Sequence, residues 1–383
     1  MPVLTRYLTG VLLKRVAVVL LAACALGLAF DLLETGPELI ERDGIAGLGR
    51  YALLRLPGIA SDLLIVAALL AGILTTTDLL RHREMVAVWN VAVSTLRIMW
   101  HLVPAGLVLL LLKYAIDDLA VPRAMQELRQ WGVGEFARRV RPGQEEGILW
   151  LRSADDIIRL PAAQAAEGRL VHFTIFRRDM TGLLTECLEV ASARPAAGGW
   201  ILEDVVRHRA DAIRVERVAR LFWPRRIDVE RIALLAREPE ELTLAQLQQV
   251  AADPADDAGP AHRHEVGLHA RLAGLFAPYL MAILPLARAR FRRSGMSAPI
   301  VIFALGAGFA FFIIQSIAVA LGKAGLMAAW TAAWGPTVAL TVLIIGLPLL
   351  RDCPHAAVRL GRAICGLAGI ERDHAGPAMR PMP

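Results

Sequence analysis

Charged side chains are scarce: Asp, Glu, Lys and Arg supply 20% of the 383 residues, against about 25% in an ordinary soluble domain. Only four cysteines are present, Cys24, Cys187, Cys353 and Cys365, and no two have C-x-x-C spacing. That excludes a disulfide framework and a zinc site of the usual kind. No G-x-x-x-x-G-K-[ST] phosphate loop occurs, since Leu321-Gly322-Lys323-Ala324 lacks both the upstream glycine and the hydroxyl residue. The chain therefore has no P-loop of its own for nucleotide. There is no G-x-S-x-G and no readable pairing of a nucleophile with a base. The formal charge is +6, but long basic runs and aromatic-interleaved basic strips are missing, so nucleic acid is not the expected partner.

What is abundant is apolar sequence: 56% of the residues are hydrophobic and the mean hydropathy is +0.50. The apolar residues are gathered into blocks of about 20, the length that spans about 30 Å of hydrocarbon as helix. Six spans are expected near 11–33, 59–80, 98–117, 268–288, 299–321 and 327–350. The run from Val16 to Leu33 is too long for a signal-peptide core and reads as a first span that is retained. Lys and Arg collect on the cytoplasmic side of short loops. With the N-terminus inside, the inner segments hold fifteen such residues, and the outer short loops hold only Arg42, Arg50, Arg55 and Lys323. Both termini are expected in the cytoplasm, as is the tail 351–383. The long insert 118–267 is expected outside.

That insert alternates polar and apolar residues with period two in GILWLRS, DDIIRL, GRLVHFTIFRRD, LLTECLEVASA, GGWILEDVVRHRA and AIRVERVARLFW. Half-buried strands at roughly 10–15-residue spacing predict an antiparallel sandwich or jelly-roll-like β domain. Thr243 caps a short amphipathic helix in LTLAQLQQVA. The layout is a polytopic α-helical membrane protein: a first half of three helices (1–117), a β domain (118–267) and a second half of three helices (268–350).

Three features carry candidate chemistry. His262, His264 and His269 invite a metal reading, but His264 and His269 are five apart, about 140° round a helix, so a polar membrane-entry segment is the better account and no metal is expected. Charges cluster at span ends: Asp31 and Glu34, Asp62 and Asp78, Lys113, Asp117 and Asp118, then Glu265, His269 and Arg271. Each would cost about 2.5–3.5 kcal/mol at mid-bilayer. They read either as solvated helix ends or as a polar rim around a cavity that takes an amphiphile's head group. Finally, Arg81–Ser94 is expected to form a short amphipathic helix with Met85, Val88, Trp89 and Ala92 on one face. It suits a connector lying on lipid and equally a helix docked in a partner's groove.

At these residues the chain resembles the LptF/LptG permeases of the bacterial lipopolysaccharide exporter. The shared features are Arg6-Tyr7-Leu8, Asp31-Leu32-Leu33-Glu34, Arg83-Glu84-Met85-Val86-Ala87 and Trp150-Leu151-Arg152. They continue with Phe176-Arg177-Arg178-Asp179 followed by Gly182, then Gly199-Trp200-Ile201-Leu202 and Ala333-Trp334-Gly335-Pro336. The Asp31-x-x-Glu34 pattern leans to the LptG side. The resemblance implies a transport subunit, not an enzyme, in the inner membrane of a Gram-negative bacterium. Its implied partners are a second, LptF-like permease, a dimeric LptB-like ATPase that uses the ATP, an LptC-like single-span jelly-roll protein and a periplasmic bridge. Lipopolysaccharide is extracted from the membrane and passed through the β domain, and the chain itself holds no cofactor.

Carried to this sequence, the resemblance makes Arg83, Glu84, Met85, Val88, Trp89 and Ala92 the coupling helix that docks on the ATPase. The family's Arg-Ala-x-Gly reads Trp89-Asn90-Val91-Ala92 here, and where LptG-type members are basic after span one this chain has Glu34, Glu38 and Glu41. Candidates to meet the lipid head group are Asp31, Glu34, Arg42, Arg50, Arg55 and Arg271. Leu149, Leu151, Phe173, Ile175, Ile201 and Val205 are candidates for an acyl-chain slot, and equally for an ordinary sheet core. The alternatives are a permease for another amphipathic lipid or a membrane-anchored envelope sensor; the tail after Leu350 is short for a signalling output domain.

Overall fold

The computed structural model describes residues 2–82, 94–133, 148–153, 156–161, 170–179, 183–209, 215–224, 229–235, 237–252, 260–289 and 298–352. Its first element, α1 (Pro2–Arg81), is interrupted by one non-helical residue, Gly44 at φ 68°, ψ −162°. That region is open to glycine and strained for other residues. At Gly44 the helix turns back on itself. Arg15 meets Asp78, Asp31 meets Arg55, and Gly36 lies beside Leu48, so the two arms run antiparallel. Each arm has about 40 residues, or about 60 Å, roughly twice the hydrocarbon thickness. The loop expected between the first two spans is therefore helix.

The next helices are α2 (Thr95–His101) and α3 (Val103–Tyr114), and a π-helical turn at Ala115–Ala120 leads into α4 (Val121–Trp131). The α2–α3 junction bends by 48° at Pro104, which sits in the first turn of α3, where a missing N–H costs nothing. The helix of the expected third span continues past residue 117 to Trp131. There α4 packs on the hairpin tip through Leu39, Tyr51, Leu128 and Val133.

Six strands follow: β1 (Ile148–Ser153), β2 (Asp156–Pro161), β3 (Val171–Arg178), β4 (Leu184–Ala196), β5 (Gly199–Arg209) and β6 (Val215–Trp223). They pair in sequence order as one antiparallel sheet. Two non-glycine residues have positive φ, His172 (50°) and Asp204 (51°). The pairings Val171↔Ser192 and Phe173↔Val190 put His172 opposite Ala191. In the same way Val190↔Val205 and Ser192↔Glu203 put Asp204 opposite Ala191. The two strained residues therefore form one crease across three strands.

Beyond the crease the inward side changes parity. Phe173, Ile175, Leu188 and Val205 are buried on one side of it, Leu170, Trp200 and Leu202 on the other. The sheet folds over along this line. Asp156 is level with Arg177, Glu186 and Arg209, and Trp223 pairs with Trp200 at the other end of β5. In a flat sheet those levels would be about 30 Å apart, yet the Trp223 indole donates to Asp156 Oδ2 at 3.0 Å. The sandwich expected from the alternation is thus two layers of a single sheet; a second sheet is not seen among the described residues.

The chain returns through α5 (Val229–Leu235), a 3₁₀ turn (Pro239–Glu241), α6 (Leu244–Ala252), α7 (Pro260–Gly274), α8 (Ala277–Ala287), α9 (Ala298–Lys323) and α10 (Ala329–Asp352). Ile232 and Leu235 of α5 and Val250 of α6 complete the sheet's core. The expected fourth span is bent by 47° between α7 and α8. α8 forms the centre of the helical bundle, with every residue buried except Tyr279. The outer helices show the reverse pattern: Leu21, Phe30, Ile302 and Phe309 are all more than 60% exposed, as apolar helices in a lipid solvent are. Three described helices are long and apolar enough to cross a membrane, or up to five if each bent pair counts as one span; α1 enters this count once, although both of its arms carry an apolar run.

Candidate functional site

At the C-terminal end of α3, charges meet in balanced pairs, most of them far apart in sequence. Lys113 is 7% exposed and spends its three donors on the Ser61 carbonyl (3.1 Å), the Ser61 hydroxyl (2.7 Å) and Asp117 (3.0 Å). The Ser61 hydroxyl donates to the same Asp117 oxygen at 2.6 Å. The neighbouring carboxylate, Asp118, accepts the Leu244 N–H at the start of α6 and stands 3.9 Å from the Arg271 guanidinium. Arg271 donates to the Leu242 and Glu240 carbonyls. Lys323 at the end of α9 pairs with Glu240 at 3.0 Å, and Arg129 of α4 pairs with Glu241.

Burying such ions is tolerable only because each has a partner of opposite sign and further hydrogen bonds. The Glu240 side chain is largely exposed; partial loss of solvation would raise its carboxyl, but the Lys323 ammonium and the Arg271 guanidinium outweigh that and hold it below its ordinary range. The amide that Asp118 takes is one of α6's four orphan N–H groups. Two further amides close as a reciprocal box, Gln246 N–H to Thr243 Oγ1 and Thr243 N–H to Gln246 Oε1.

The head-group candidates are placed as follows. Arg42 donates to the Trp131 and Gly132 carbonyls at 3.0 and 2.9 Å, capping α4. Arg50 pairs with Glu127 at 2.7 Å and lies 4.8 Å over the Trp131 ring. Arg55 holds Asp31 at 3.1 Å, Arg271 belongs to the cluster above, and Glu34 is exposed. All four arginines thus have partners within the chain. Beside Asp31, burial pushes the Tyr51 phenol up in pKa; a Thr35 hydrogen bond opposes this and the Asp31 charge adds to it.

In the sheet, Phe173, Ile175 and Val205 share one core with Ile158, Leu188 and Trp223. Ile201 does not join them: it pairs with Arg194 and Phe222 on the opposite face from Leu202. Leu149 and Leu151 are placed in β1 by register with Leu160 and Ile158. The core face is bordered by a ladder of alternating charge across four strands, in which Arg177 pairs with Asp156 and Glu186, and Arg207 with Glu186. Trp150 stacks on Phe176 at 5.8 Å. Arg83, Glu84, Met85, Val88, Trp89 and Ala92 lie outside the described residues. His264 meets the Arg237 carbonyl and His262 meets Glu265; no group of three metal-ligating side chains converges among the described residues.

A bundle of apolar helices with balanced ion pairs at one edge, joined there to a folded antiparallel sheet, is the build of a membrane protein bearing a β domain and is consistent with a permease. The family described as lipopolysaccharide export system permease LptF/LptG matches residues 6–351. The chain belongs to that family: it is a membrane-embedded lipopolysaccharide export permease, a transport subunit that works in a complex with other Lpt components. No curated protein matches it individually.

Proposed function

We propose that this chain is one of two permeases in an ABC-type exporter that draws lipopolysaccharide from the inner membrane and passes it to a periplasmic bridge. The observation that carries the reading is the family match, which runs through bundle, sheet and return alike. Six spans are proposed: the two arms of α1, the bent pair α2–α3, the bent pair α7–α8, α9 and α10. Both termini are cytoplasmic and the sheet is periplasmic, an orientation supported by the Lys/Arg asymmetry of the short loops. With no P-loop in the chain, the energy comes from a partner ATPase, engaged through Arg83, Glu84, Met85, Val88, Trp89 and Ala92.

Asp31, Glu34, Arg42, Arg50, Arg55 and Arg271 stand near the outer rim and are proposed to meet the head group by exchanging their internal partners for it. The acyl chains are proposed to enter the fold of the sheet beside Leu149, Leu151, Phe173, Ile175 and Val205, with Ile201 on the outer face. Each CH₂ so shielded is worth about 0.8 kcal/mol. Among the described residues, Ile232, Leu234 and Leu235 of α5 and Val250 of α6 cover that face. The test is a photocrosslinking residue at Phe173 or at Ile201 in the assembled complex. Capture of lipopolysaccharide at Phe173 that depends on ATP, with less at Ile201, is the expected result. Labelling that ignores the nucleotide, or that favours Ile201, overturns the slot.

A further inference from the structure

Two neighbouring carboxylates in one turn hold two different bodies. Asp117 is bound to the bundle, through Lys113 of α3 and Ser61 of α1. Asp118 is bound to the start of α6 and faces Arg271 of α7. α6 in turn buries Leu247 and Val250 completely, and Val250 lies in the core of the sheet. An unbroken line of contacts therefore runs from the third span, through one turn of helix, to the helix that covers the β domain.

That turn is the one π-helical segment among the described residues, Ala115–Ala120, closed by the Val121 N–H on the Ile116 carbonyl. π-turns arise where one residue too many is accommodated in a helix, and they mark functional positions more often than chance. Here the widened winding sets the phase of everything after it. Relaxation to α-helical winding, or loss of one residue, turns the following residues by about 100°. Asp117 and Asp118 cannot then keep both grips.

Resting on the export function proposed above, we propose that the Ala115–Ala120 turn is the joint that carries motion of the bundle to the β domain, with Asp118 as its positioning residue. The test uses the full chain in its assembled complex in lipid nanodiscs. Its own cysteines are replaced by serine, and nitroxide labels are placed on the bundle at Leu107→Cys and on the sheet at Arg194→Cys, both exposed. Asp118→Ala is expected to broaden the label-to-label distance distribution at least twofold and to cut delivery of lipopolysaccharide to an acceptor by more than fivefold. Asp118→Asn still accepts the Leu244 N–H and is expected to restore most of the narrow distribution. Deletion of Ile116 is expected to shift the mean distance.

A distribution in Asp118→Ala as narrow as in the parent, with parental delivery, overturns the joint. An Asn variant as broad as the Ala variant overturns the Leu244 amide as the group gripped. A parent complex that delivers no lipopolysaccharide counts against the export reading alone, because the distances need no cargo.

Discussion

At Gly72 α1 packs directly on the backbone of α8 at the buried centre of the bundle, and its replacement by alanine puts the packing to the test. A Cβ there would lie 2.2 Å from the Ala282 carbonyl oxygen, 2.8 Å from its carbon and 3.0 Å from its Cα. All three are backbone atoms of α8, so no rotamer change relieves the clash. The helices must part by about 1 Å, and a gap of that size forfeits a quarter to a half of the dispersion energy of each contact it opens. Neighbouring Ala68 and Ala71, both fully buried, share that contact surface. The expected loss is about 3 kcal/mol, the upper end of the range for an overpacked core. Gly346 in α10 meets nothing within 4 Å. Its replacement by alanine gains helix propensity, worth up to about 1 kcal/mol. Thermal unfolding in detergent, followed by tryptophan fluorescence, should lower the midpoint for Gly72→Ala and leave it level or higher for Gly346→Ala. Equal midpoints for the two variants would refute the close approach of α1 to α8.

Lys113→Ala leaves Asp117 without its ammonium partner at a site only about a tenth exposed; it should cost about 3–5 kcal/mol, and the double change with Asp117→Ala should recover most of it in the same unfolding assay. Trp223→Phe removes the indole donor from buried Asp156 and should cost about 1–3 kcal/mol, read as faster proteolysis of the β domain. Burial, and then the charge of Glu189, push the Cys187 thiol up in pKa. With the other cysteines replaced, its alkylation at pH 8.5 should therefore lag behind that of a free thiol and keep rising at higher pH, whereas a plateau near pH 9 would contradict the burial.

The apolar runs and the strand alternation are legible in the sequence because each is a local pattern with its own period. β1 and β3 fall within the segments GILWLRS and GRLVHFTIFRRD, β2 overruns DDIIRL by one residue, Pro161, and the Thr243–Gln246 box stands at the start of α6. The helical mast over 34–58 is not legible, since Gly36, Pro37, Gly44 and Pro57 all signal breaks. What holds it is packing of Leu39 and Tyr51 against Leu128, which is tertiary. The crease is hidden for a similar reason. Neither His172 nor Asp204 is a glycine, and the parity change that puts Ile201 outside follows from their backbone, not from any pattern of polarity. Span-end charges such as Lys113, Asp118 and Arg271 read singly as solvated ends. Only the return of α6 and α7 to the end of α3 turns them into paired, buried groups.

The chain is proposed to be the lipid-handling half of a powered exporter. The decisive measurement is purification of the tagged chain in mild detergent, with mass spectrometry of what travels with it. A second permease of the same family, an ATPase and lipopolysaccharide are expected in the same particle. A chain recovered alone, carrying only glycerophospholipid, would contradict it.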